Sequence, residues 1–178
     1  MLAFSHNASA TPHVFPPSIN LAIDDAHELG FASPGLPAGD ADRTLFVNSM
    51  IGLALGGSTH VIIGPHDNLV TRSNNDFGSL PTAVFALNGT GTTIDLGNGA
   101  LYSYLFAKYG GPDHGSEVWY VGNLNGIITI PATVGQYGLS GWTLFSPGGV
   151  NVPDGGATVM LLGAALGAIG LARRFLRS

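Results

Sequence analysis

The sequence predicts a mainly β fold: an antiparallel β-sandwich of jelly-roll type with one short helix, followed by a single C-terminal transmembrane helix. Three observations carry that expectation. Short runs of β-branched and aromatic residues recur at intervals of about 8–15 residues between turns containing Gly, Asn, Asp or Pro, as in antiparallel sandwiches. Glycine is abundant, with 27 residues beside 11 prolines, a composition that favours turns over long helices. Finally, Gly155 to Ala172 is a stretch of 18 residues without a charge. As a helix it would be roughly 27 Å long, at the short end of what crosses a hydrocarbon core of about 30 Å.

Residues 1–38, rich in Pro, Ala, Ser and Gly, read as an N-terminal arm or loop. Residues 39–147 read as the β-rich ectodomain and 148–178 as a tail. Asp40 to Ala54 is the helix, because Val47, Met50, Ile51 and Ala54 lie at i, i+3, i+4 and i+7 on one face. Asp40 or Asp42 is expected to cap its start and Gly56-Gly57 to stop it. From His60 the pattern changes to strands, THVII, NLVTR, TAVFAL, TTIDLG, LYSYLFAKY, SEVWYV, GIITIP and SGWTLF. In LYSYLFAKY, Leu101, Ser103, Leu105, Ala107 and Tyr109 share one face, and Tyr102, Tyr104, Phe106 and Lys108 the other.

The tail is the most specific part of the chain. Val152-Pro153-Asp154-Gly155-Gly156 precedes the uncharged stretch, and Arg173, Arg174 and Arg177 follow it. Pro153 lacks an N–H and biases Val152 toward an extended backbone, and the two glycines delay helix formation to Ala157. A protease cleft needs such an extended segment. Asp154 lies near the expected helix N-terminus, where a carboxylate is favoured, and capping is its plain role. Three of the six cationic residues fall in the last six positions, whereas residues 1–172 carry a net −8. Basic flanks stay cytoplasmic, so the C-terminus is expected inside the cell and the acidic bulk outside. The plain alternative is a buried core helix with a solvated basic end, but Thr158 is the only non-apolar side chain available to form a polar stripe. Gly163 and Gly167 form a G-x-x-x-G pair of the kind that packs membrane helices.

These residues resemble the C-terminal sorting tail of the PEP-CTERM proteins of Gram-negative bacteria, in the variant that reads V-P-D-S-G. Val152-Pro153-Asp154 matches, Gly155-Gly156 replaces Ser-Gly, and Arg173-Arg174 closes the run. The resemblance implies recognition by an exosortase-type membrane protease, anchoring in the bacterial inner membrane, and release or transfer to the cell surface after processing. Tyr104 to Trp142 also resembles the last half of many PEP-CTERM passengers, which supports an exported β-domain and adds no chemistry. An exported chain needs an N-terminal signal, and MLAFSHNASATP has neither a basic start nor an apolar run. The reading frame is therefore expected to begin upstream of Met1. The plain alternative is a disordered arm, and both predict little order over residues 1–20 or so.

Composition excludes several functions. With no Cys there is no thiolate nucleophile, disulfide or Cys-ligated metal, and the acidic balance opposes nucleic-acid binding. No nucleophile elbow, phosphate loop or complete dinucleotide fingerprint is present. No enzyme activity, cofactor or metal is expected. His60 and His66 lack a third ligand close in sequence, and Asp113, His114 and Glu117 read as a solvated turn rather than a Ca²⁺ loop. Two readings remain. One is an exported cell-envelope or biofilm-matrix protein. The other is a carbohydrate-binding module for exopolysaccharide, with Trp119 and Trp142 as the candidate sugar contacts.

Overall fold

The computed structural model of the chain describes residues 18–110 and 115–148. In chain order these form β1 (Ile19–Asn20), β2 (Glu28–Ser33), α1 (Asp40–Gly52), β3 (Ser58–Ile63), β4 (His66–Arg72) and β5 (Ala83–Gly89). There follow β6 (Thr93–Asp95), β7 (Tyr104–Tyr109), β8 (Ser116–Tyr120), β9 (Ile127–Thr129), β10 (Thr133–Val134) and β11 (Tyr137–Pro147). The fold is mainly β, largely antiparallel, with one helix among the described residues. The compact unit that holds these elements ends at Pro147.

An eight-stranded sheet runs β10-β11-β7-β8-β2-β4-β3, with β5 also paired to β11. A three-stranded sheet runs β1-β9-β6, and its β1–β9 pair is parallel. Strand β7 is central and apolar on both faces, as expected of a strand covered twice. Leu105, Ala107 and Tyr109 join Trp119, Trp142 and Leu144 in a core with Ile94, Leu96 and Ile128, from the small-sheet region. Tyr104 and Phe106, pointing the other way, join Phe46, Val47 and Met50 of α1. The Phe46 and Phe106 rings stack at 6.5 Å. Over Tyr104–Tyr109 the predicted alternation therefore separates two cores, one under the helix and one under the small sheet. That is not the pair of matched sheets of a jelly roll. Tyr102, before the strand, packs with the Leu105 core instead of on the predicted Tyr104 side.

Helix α1 begins as the sequence requires, with one correction. Gly39 occupies the N-cap, and Asp42 accepts a hydrogen bond from the Gly39 N–H at 2.9 Å. Asp40 and Asp42 both lie in the first turn, where the dipole favours them. The helix ends at Gly52, ahead of the expected Gly56-Gly57, because Leu53 is already extended. Ala54 falls outside it and is exposed, and Phe46 takes its place in the buried face.

The expected arm at residues 1–38 is corrected over its described part. Strand β2 lies between β8 and β4 in the large sheet, and its Leu29 and Ala32 are fully buried. The sequence ELGFAS hides this strand because a register shift between Glu28 and Gly30 breaks the period-2 pattern. Gly30 is required there, since an added Cβ would stand 2.1 Å from the Thr71 carbonyl oxygen. Residues 1–17 lie outside the described residues. Among the described residues no helix is long and apolar enough to cross a membrane, and the expected span at 155–172 falls outside them.

Candidate functional site

The two tryptophans are core anchors. Trp119 is fully buried and donates its indole N–H to the Ala22 carbonyl at 2.9 Å. Trp142 is 8% exposed and donates to the Gly91 carbonyl at 3.1 Å. Its ring lies flat on Gly89, where an added Cβ would come within 2.1 Å of it. The sugar-stacking role considered for Trp119 and Trp142 is therefore corrected, since neither ring offers a face to a ligand. Both sit in the core between the large sheet and the small one, where large aromatics bury the most area.

The histidine pair is separated by strand geometry. Strands β3 and β4 form a tight hairpin in which Ile63 faces His66, and Gly64 takes φ 58 at the turn. His60 is three residues before Ile63, so His60 and His66 project from opposite faces of the hairpin. His60 instead pairs with Asp67 through Nδ1 at 2.8 Å, both well exposed. Such a pair contributes little to stability. Asp113 and His114 lie outside the described residues. Among the described residues no group of three or more His, Asp or Glu is placed to hold a metal ion.

Glu117 is the more unusual group, and the solvated turn expected for it is corrected, because it sits within β8 with its carboxylate largely buried. It lies on β8 beside Phe31 and Ala107 in the neighbouring strands. Its Oε2 is buried and has no hydrogen-bond partner. Burial, with the Glu28 and Asp24 carboxylates nearby, pushes its carboxyl up to about 8. Glu28 is raised as well, chiefly by burial, against the lowering effect of the Asp24 N–H that it accepts. Folded Glu117 thus holds its proton up to about pH 8, whereas the unfolded chain releases it near 4.5, the ordinary value for a glutamate. The folded state binds more protons across that window, so stability falls as pH rises through it and is regained on acidification. Glu117→Gln should remove that slope and stabilise the protein by about 1–3 kcal/mol above pH 8. Urea unfolding of both proteins at pH 5 and pH 9 measures this; equal slopes would contradict it.

Beside these carboxylates is a polar cavity of about 320 Å³, bordered by Asp24, Glu28, Phe31, Thr71 and the Asn74–Asn75 loop. Arg72 forms part of its wall, and its burial lowers its pKa. The guanidinium is committed to the protein, donating to the carbonyls of Leu29 (2.7 Å) and Asn75 (3.0 Å) and to Ser73 Oγ (3.2 Å). It also packs over the Phe77 ring at 5.3 Å. Sequence reasoning missed this cavity because its residues come from the unrecognised β2, the loop before it and the turn after β4.

The sorting-motif residues Val152, Pro153, Asp154, Gly155 and Gly156, and the basic flank Arg173, Arg174 and Arg177, lie outside the described residues. They are reached by comparison instead. No curated protein and no solved structure matches the chain. The VPDSG-CTERM family model matches residues 151–175. That segment holds the Val-Pro-Asp-Gly-Gly run, the uncharged stretch and the first two of the three arginines. The match implies a C-terminal sorting signal on an exported protein, recognised by an exosortase-like membrane enzyme. The chain thus carries, at residues 151–175, a VPDSG-CTERM motif, a C-terminal sorting tail of the PEP-CTERM type.

Proposed function

We propose that the protein is an exported, non-catalytic component of the bacterial cell envelope or extracellular matrix. Its tail holds it in the inner membrane with the C-terminus in the cytoplasm until an exosortase-type protease processes it. The VPDSG-CTERM match at residues 151–175 carries this reading. Charge supports the orientation, because Arg173, Arg174 and Arg177 follow an uncharged stretch as long as a short membrane span. A structural rather than enzymatic domain is supported by its two clusters of buried apolar side chains, and by the fact that burial and neighbouring carboxylates account for the raised Glu117 and Glu28.

The basic flank provides the test. Replacing Arg173, Arg174 and Arg177 with glutamine should weaken membrane retention in the native host, because the three charges that resist translocation are gone. Cell fractionation with quantitative immunoblotting reads the ratio of membrane-bound to released protein. A fall of several-fold is expected, and an unchanged ratio would contradict the proposed orientation.

A further inference from the structure

We propose that the cavity beside β2 and β4 binds a neutral sugar residue, with Phe31 as its apolar platform and Asp24, Asn74 and Asn75 as partners for its hydroxyls. The site is separate from the two buried tryptophans and does not depend on the tail. Phe31 and Thr71 are directly paired across β2 and β4, so their side chains share one face of the large sheet. Phe31 is 37% exposed and belongs to neither core, although its strand is an interior one. An aromatic ring is thus left uncovered at the edge of a cavity of about 320 Å³. That volume is at the lower end of the roughly 300–1,000 Å³ typical of small-molecule sites, the size for a single ring.

The polar groups around it are of the right kinds and retain unused donors or acceptors. Among the described residues the Asp24 carboxylate and the Asn74 side-chain amide make no hydrogen bond. Asn75 spends its Nδ2 on the carbonyls of Asp25 (2.8 Å) and Glu28 (3.0 Å), which leaves its Oδ1 as an acceptor. A carboxylate acceptor beside an amide that both donates and accepts matches a pair of adjacent hydroxyls, each of which can do both. The sugar's C–H face meets Phe31 in the same pose.

The site is also pre-organised, which lowers the entropic cost of weak binding. The Asp24 N–H is held by Glu28 Oε2, with Asp24 in the left-handed region at φ 60. Asn75 is anchored through its side chain and through its N–H, which donates to Ser73 Oγ at 3.2 Å. The surroundings select against other ligands. The carboxylate of Asp24 in the lining, with that of Asp25 next to it in the chain, repels anions. Among the described residues the carboxylates do not converge as a metal-holding group, and three of the five Arg72 N–H donors already meet protein oxygens.

Saturation-transfer NMR and calorimetry on the full chain, in a zwitterionic detergent without sugar headgroups, test this. The probes are the methyl glycosides of glucose, galactose and mannose at about 10 mM, with calcium chloride as a separate arm. Transfer to at least one glycoside is expected, with a millimolar dissociation constant weakened about tenfold or more by Phe31→Ala and by Asn74→Ala. Asn74→Ala keeps the result interpretable, because it removes a side chain that bonds nothing among the described residues. Three results would overturn the proposal: no transfer to any glycoside, binding unchanged in both variants, or calcium binding lost in Asp24→Asn while the glycosides stay silent.

Discussion

Replacing Trp119 with alanine should lower the folding free energy by about 3–5 kcal/mol, the usual cost of emptying a large aromatic site in a core. Trp119 is fully buried on an interior strand, packed with Leu105, Val121 and Ile128 among others. Those partners belong to different layers, so the backbone cannot collapse into the space without separating the small sheet from the large one. The substitution also leaves the Ala22 carbonyl without the indole N–H it accepts, an unmet acceptor in a partly buried place. Trp142 remains as an intrinsic fluorescence probe, and guanidinium unfolding of the parent and variant gives the difference. A change below about 1 kcal/mol would mean that this core does not bear the load the packing implies.

The second large effect concerns the tail. Deleting Val152–Ser178 should convert a cell-retained protein into a released one, with the β-domain still folded. The domain's strands end with β11 at Pro147 and both cores are assembled from residues before it, so the deletion removes no described contact. Replacing Pro153 and Asp154 with alanine should give the opposite phenotype. The anchor stays, but alanine permits helix through the recognition segment where proline held it extended. The uncut form should then accumulate in the membrane. Fractionation with immunoblotting distinguishes the two. An unfolded truncated domain, or normal processing of the Pro153/Asp154 variant, would contradict the account.

The parts of this fold visible in the sequence were those with a clean period. In LYSYLFAKY the alternation holds over Tyr104–Tyr109, whose two faces enter two different cores as β7. Leu101, by contrast, is exposed before the strand, and Tyr102 packs with the Leu105 core rather than on the predicted Tyr104 side. Helix α1 was visible from Val47, Met50 and Ile51, but its end was not, because Gly52 and the extended Leu53 stop it before the more obvious glycine pair. Strand β2 was invisible, because the irregularity at Gly30 puts Leu29 and Ala32 on one side and destroys the alternation. A glycine required because an added Cβ would stand 2.1 Å from a neighbouring carbonyl oxygen looks, in sequence, like any loop glycine. The cavity went unseen for the same reason, since Glu28 and Phe31 flank that glycine and Asp24 precedes it. Trp119 and Trp142 show the opposite failure. Their residue type suggested a ligand platform, whereas their position on interior strands makes them structural. The tail differs in kind, because its signal is a fixed order of motif, apolar stretch and arginines that needs no tertiary context.

Mass spectrometry of the mature protein purified from its native host tests the central claim most directly. The account predicts that the C-terminal peptides containing Arg173, Arg174 and Arg177 are missing, with a new C-terminus near the Val152–Gly156 motif. A mature population that keeps its tail intact through Ser178 would contradict it.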